Sequence, residues 1–352
     1  MKKVHILIFV LISSSFAFVS HLTTTSNIIR FGTREENGNV SIFFCSSDNC
    51  ENILNEFILS SDEFLYCALY KVNLDSFVDA ILAQKERGVK IRIIIDDQAS
   101  IEESSKYNEL KAILKENIKT DVSRKSKYNN LMHNKFCVKD KRMVWTGSFN
   151  PTKEKSYDDL IIINSSLISR NYLKEFEEMW NNEFGDTKSK KTEFTHIILR
   201  NTSFGDVEIR NYFCPEDNCK EHIINEIDRA SKSIHFCLFS LTDNDTKTAL
   251  IRARDRGVIV SGLFDRVQAG SKYSMFKWLK DNLVDVEIFN SPLFLHYKFF
   301  IIDNETVVTG SLNPTSSGYL YNDENLVILK NKEIARLFFN EYASLKNNSS
   351  SR

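Results

Sequence analysis

The chain predicts an α/β protein of two similar lobes, each a mixed β-sheet flanked by helices. Three observations lead there. Runs of β-branched and aromatic residues alternate with helix-like segments along most of the 352 residues. The order of elements is written twice, with corresponding markers 169 or 170 residues apart through the first part of each half. A block reading H-x-K-x4-D, followed by Gly-Ser-x-Asn-Pro-Thr, then recurs at an offset of 163 residues. Alternation implies sheets covered by helices, and repetition implies a duplicated unit.

Each element follows from local chemistry. The first half starts with a strand over 40–45, a helix over 49–60 and a strand over 63–70. A helix over 74–87 stops at Gly88, a residue that ends helices at little conformational cost. The run Val89-Lys-Ile-Arg-Ile-Ile-Ile is rich in β-branched residues, predicts a buried strand and ends at Asp96. In the second half the same grammar gives strand 207–213, helix 219–230, strand 233–239, helix 244–256, Gly257 and strand 258–264 ending at Asp265. A helix (104–116 or 272–282), a strand and the H-x-K block follow in each half, and a closing helix (170–184 or 332–346) ends it. The first lobe is assigned to 38–185, the second to 205–347, and the Lys-, Thr- and Ser-rich 186–204 to a linker.

A net charge of -1 excludes the strongly basic composition of a general nucleic-acid coat. Met1-Lys2-Lys3 and the apolar run Val4 to Ile12 predict a signal peptide over 1–17, hence secretion or a periplasmic address; an uncleaved signal serving as membrane anchor is the alternative. Export suits the cysteines. Cys45-x4-Cys50 and Cys214-x4-Cys219 sit at corresponding strand-to-helix turns and are disulfide candidates. A zinc site shared by both pairs stays open as the alternative. Cys67, Cys137 and Cys237 lie in apolar runs and are read as packing residues.

The repeated block consists of His133, Lys135 and Asp140 (133–140) and of His296, Lys298 and Asp303 (296–303). Ser148 and Asn150 follow the first copy, Ser311 and Asn313 the second. This resembles the phospholipase D superfamily, with its paired HKD motifs. The resemblance implies two phospholipase D-like lobes related by a pseudo-twofold axis, with one active site at their interface. It also implies hydrolysis through a phosphohistidine intermediate, with His133 as nucleophile and His296 as acid, and Glu324 and its counterpart Asp158 as acidic partners of the histidines.

The residues suit that chemistry. Imidazole can attack phosphorus when neutral and protonate a leaving oxygen when charged. Lys135 and Lys298 share a strand face with their histidines and can hold phosphate oxygens. Asn150, Asn313, Ser148 and Ser311 are read as neutral donors to the same oxygens. Asp140 and Asp303, on the opposite strand face, are read as structural. Lysine supplies the charge, so no metal and no cofactor is expected.

For substrate, the expectation is a phospholipid headgroup at a membrane surface, with nucleic acid as the alternative; transfer to an alcohol or a non-catalytic lipid-binding role is ranked lower. Between 119 and 155 ten Lys or Arg face three acids, whereas 288–326 is apolar and aromatic. A basic wall opposite an apolar wall suits an amphipathic anion, and equally a single strand whose bases stack. Because one chain carries both half-sites, a monomer is expected.

Overall fold

The computed structural model describes residues 32–121, 130–188 and 192–350. The leader predicted over 1–17 lies outside them, as do Arg124, Lys125 and Lys127 of the basic segment. No helix of the described residues is long and apolar enough to cross a membrane.

Two mixed sheets carry the fold. The first runs, strand by neighbouring strand, Asn39–Phe44, Asp159–Asn164, Met143–Gly147, Lys135–Lys139, Phe64–Leu69, Lys90–Ile95 and Ile118–Thr120. The second repeats this order as Gly205–Cys214, Glu324–Lys330, Thr306–Gly310, Lys298–Ile302, Ser233–Leu238, Ile259–Asp265 and Asp285–Phe289. Two strands extend its edge, His196–Thr202 and, parallel to it, Thr33–Asn37. The stretch expected as a linker therefore contributes a paired strand, and the first of the described strands belongs to the second lobe's sheet. Polar composition had hidden this, because a strand buried on one face needs only alternate apolar residues, here Ile197 and Leu199.

Strand alternation divides the core. Phe136, Val138 and Val144 point into a cluster shared with Phe213, Phe299 and Val327 of the other sheet. The closing helices, Ser166–Trp180 and Lys332–Ser350, place Tyr172, Phe176 and Phe338 in that same cluster. Cys137 and Trp145 point the other way, into the first lobe's outer core. The shared cluster clamps one lobe against the other, which fixes the interface where the motifs meet.

The disulfides Cys45–Cys50 and Cys214–Cys219 form at the expected turns. A third bond, Cys67–Cys137, corrects the reading of those residues as packing thiols. They stand directly opposite on antiparallel strands, with Cα atoms 4.1 Å apart. At the corresponding place in the second sheet Phe236 faces Phe300, ring centroids 5.7 Å apart. Gly262 on the next strand makes room, since a Cβ there would lie 2.1 Å from the Phe236 ring. A disulfide in one lobe thus occupies the space of an aromatic pair in the other. Cys237 remains a buried thiol.

Candidate active site

Each motif histidine stands just before its strand, Lys135–Lys139 or Lys298–Ile302, at the end where the neighbouring parallel strands finish. Asp140 and Asp303 lie at the far end. Asp140 accepts backbone N–H bonds from Asp62, Glu63 and Phe64, and Asp303 from Ser231, Lys232 and Ser233. Both carboxylates stitch the start of the adjacent strand to the motif strand, away from the histidines.

The histidines are held from across the interface. Nδ1 of His133 is 2.8 Å from Glu324 Oε2, and its backbone N–H donates to the carbonyl of Asp323 at 2.9 Å. Nδ1 of His296 is 2.7 Å from Asp158 Oδ1, and its N–H donates to the carbonyl of Tyr157 at 3.0 Å. With Nδ1 engaged by a carboxylate, Nε2 is the nitrogen left for phosphorus or for the leaving oxygen. The short parallel pairing of Phe294–Leu295 with Ser156–Tyr157 and the bridge between Met132 and Asp323 align these segments. Lys135 Nζ donates to the carbonyl of His133 at 2.8 Å, and Lys298 Nζ to that of His296 at 2.6 Å.

A further layer is equally symmetric. Asp96 caps the short helix Asp97–Ser100 and accepts the Met132 N–H at 3.0 Å. Asp265 caps Arg266–Ala269 and accepts the Leu295 N–H at 3.0 Å. Each thereby pins the residue preceding a motif histidine. The Tyr70 ring lies 4.9 Å from His133 and Phe239 4.8 Å from His296, walling the site on both sides. Sequence reading assigned no role to these four residues, although all share the 169-residue offset.

Ser148 and Ser311 are used differently from the expectation of phosphate donors. Ser311 Oγ donates to Glu324 Oε2 at 2.6 Å and accepts the Asn325 N–H. Ser148 Oγ accepts the Asp159 N–H at 2.9 Å. Their hydroxyls orient the acidic strands. Asn150 and Asn313 differ, for the amide oxygen of each is enclosed without a hydrogen-bond partner.

The described residues of the basic segment divide, and Lys155 is exposed three residues before Asp158. Lys135 is inside the site, Lys119 donates to Asn182, Lys139 to Ser60, and Lys153 pairs with Asp75. Lys141 and Arg142 follow the motif strand at the end away from the histidines. Two carboxylate groups are close enough to hold a cation, Asp96–Asp97–Asp121 and Glu175–Glu178–Glu216. In the first, Asp121 already accepts the Asp97 N–H; in the second, buried Lys188 pairs with Glu175 and Glu216.

The chain matches the family described as "Cardiolipin synthase, PLD-like domain" over residues 54–180 and again over 223–346. It belongs to the phospholipase D superfamily. A phospholipase D of Rickettsia conorii is 34% identical over 139 residues, which cover 40% of this chain and 70% of the relative. The human mitochondrial cardiolipin hydrolase is 31% identical over 113 residues, 32% of this chain and 45% of that protein. The crystal structure of a phosphatidylserine synthase from Haemophilus influenzae superposes with TM-score 0.61 over 88% of this chain and 85% of its own, at 11% identity, and so shares the fold.

For a phospholipase D-type phosphodiesterase the electrostatics break the pseudo-symmetry. Burial, then Lys135 and Lys298, push His133 well below the usual imidazole range, so it stays neutral. Burial lowers His296 as well, but Asp158 works against that fall. Burial pushes the Asp158 carboxyl up, yet His296 and Lys298 beside it bring it net below the ordinary value, so it is an anion. Glu324 is pushed up to about 7, chiefly by burial. Burial brings Lys135 down to about 7 and Lys298 to about 8. Both imidazoles are thus held below the usual range, His133 well below it, while the anionic Asp158 resists the fall at His296.

Proposed function

We propose that this chain hydrolyses phospholipid headgroup esters, with His133 as nucleophile and His296 as acid and then base. The observation that carries the roles is the unequal pair of carboxylates engaged at Nδ1, Asp158 at 2.7 Å behind His296 and Glu324 at 2.8 Å behind His133. The first is held below its ordinary range and the second is pushed up by burial. Nε2 of His133 attacks phosphorus and the bond to the headgroup oxygen breaks. His296 gives that oxygen its proton, and the electron pair leaves with it. His296, now neutral, removes a proton from water, whose oxygen displaces His133 and returns it neutral. Lys135 and Lys298 balance charge on the non-bridging oxygens, joined by the amides of Asn150 and Asn313.

Lipid is favoured as substrate by the names of the relatives, a phospholipase D and a cardiolipin hydrolase. A secreted or periplasmic protein is supported by the three disulfides. A monomer is supported because both half-sites lie in one chain, and metal independence because lysines stand where a cation would neutralise phosphate.

The test is parallel incubation with phosphatidylcholine, cardiolipin, and single- and double-stranded nucleic acid, each with and without EDTA. Release of headgroup alcohol or phosphatidic acid, unchanged by EDTA, is expected. Cleavage of nucleic acid alone would replace the lipid reading, and loss of activity on chelation would replace the lysine one.

A further inference from the structure

We infer that the catalytic face docks on a phospholipid bilayer through an apolar rim supplied by both lobes, an inference that rests on the phospholipid reading. Six exposed large apolar residues stand on segments that leave the catalytic ends of the sheets. Ile101 follows the helix capped by Asp96; Val267 and Tyr273 follow Asp265; Leu293 and Phe294 precede His296; Leu320 precedes Glu324. Ile101 is 84% exposed, Val267 55% and Phe294 46%, so none is core. A soluble surface rarely gathers such residues around one opening unless something apolar covers it.

Two observations choose a bilayer as the cover. The rim is continuous with the chemistry: the Phe294 ring meets Phe239 edge-on at 6.0 Å, and Phe239 meets His296 at 4.8 Å. An apolar path thus leads from the exposed edge to a catalytic imidazole, as a substrate with an apolar body and a phosphodiester near its polar end would need. Some cations beside the rim are held by acids, Lys71 by Glu102 and Lys106 by Asp75 and Glu109, while Lys272 lies over the Tyr273 ring. The apolar residues therefore set the character of this rim, and the cations beside it suit anionic headgroups. Side chains of this size can enter the headgroup and acyl boundary of a bilayer with gain from each buried apolar surface.

The test uses the full chain and the triple variant Ile101→Ser, Val267→Ser, Leu320→Ser, whose substitutions touch neither histidine, lysine nor acidic partner. Flotation with vesicles of phosphatidylcholine and cardiolipin reads binding without turnover. Hydrolysis of vesicles, of a short-chain phospholipid below its micelle concentration, and of bis(p-nitrophenyl) phosphate reads activity. The wild type should float with vesicles; the variant should bind them and hydrolyse them at least roughly tenfold less. Both should cleave the soluble diester alike, which also shows that the variant is folded. Equal binding and vesicle turnover by the two proteins would overturn the rim. Failure of the wild type on monomeric phospholipid, with the soluble diester still cleaved, would instead overturn the phospholipid reading.

Discussion

Nδ1 of His133 lies 2.8 Å from Oε2 of Glu324, a residue of the opposite lobe, and His296 takes Asp158 from the first lobe in return. Neither half holds a finished site. A histidine contributed by one lobe acquires its tautomer from the other, so the lobe interface is part of the chemistry. The neighbouring bonds cross in the same way, Thr146 Oγ1 to Asn325 Oδ1 at 2.8 Å and Thr309 Oγ1 to Asp159 Oδ2 at 2.9 Å.

This crossing yields the first prediction. Asp158→Asn and Glu324→Gln keep the shape of each side chain but remove the carboxylate that orients its imidazole. Each should lower kcat by about 10²- to 10⁴-fold, with a smaller change in KM. Asp158→Asn should be the more damaging on substrates with poor leaving groups, because it faces the acid. Steady-state kinetics on leaving groups of different basicity checks this; equal losses across the series would separate Asp158 from proton donation.

The element order and the two motif strands were legible in the sequence because they depend on period, composition and repetition, whereas the acidic partners came only through the family resemblance. The partners' exchange between lobes was not legible, since a chain written twice cannot say whether its halves complete themselves or each other. The Cys67–Cys137 bond was hidden for a related reason. It depends on strand Phe64–Leu69 pairing with Lys135–Lys139 across 70 residues, and its counterpart in the second half is an aromatic pair. Asp96 and Asp265 were visible as markers after a strand. Their work on the Met132 and Leu295 amides needed the return of a distant segment.

Thiol counting follows from that correction. Protein recovered from an oxidising compartment and denatured without reductant should show one free thiol, Cys237, and seven after reduction. Titration with a chromogenic disulfide gives the number, and peptide mapping gives the pairs. Three free thiols would return Cys67 and Cys137 to the packing role.

The pH profile tests the lysines. Burial holds Lys135 at about 7 and Lys298 at about 8, so rising pH strips their charge earlier than for a surface lysine. His133, held well below the imidazole range, does not become charged until the solution is acidic. The kcat/KM profile reports groups of the free enzyme. It should fall with rising pH first as His296 loses its proton, below the usual imidazole range, and further through about pH 7 to 8 as the lysines lose theirs. A plateau persisting to about pH 9 would mean that the lysines keep their protons or are dispensable.

Stability hinges on Lys188. Its ammonium is buried among Glu175, Glu216 (3.0 Å) and Asp323 (3.3 Å), and the Asp323 carbonyl holds the His133 amide. Lys188→Met leaves buried carboxylates uncompensated and should cost about 3–5 kcal/mol. Urea unfolding measures the loss. The further change Glu175→Gln should restore part of it, and no recovery would place the defect elsewhere.

The two histidines can be told apart by what accumulates. Both are essential, since removing either takes away a nucleophile or a proton donor. In His296→Ala, His133 can still displace a leaving group such as p-nitrophenolate, which departs without a proton. The phosphohistidine then persists, because the group that would activate water is gone. In His133→Ala no attacking nitrogen remains, so no adduct should form with any diester. Intact mass at neutral or alkaline pH, where phosphohistidine survives, should show the adduct on His296→Ala alone. An adduct on His133→Ala instead would exchange the roles, and with them the reading that an anionic Asp158 marks the acid. Wild-type turnover in either variant would remove the paired-histidine mechanism.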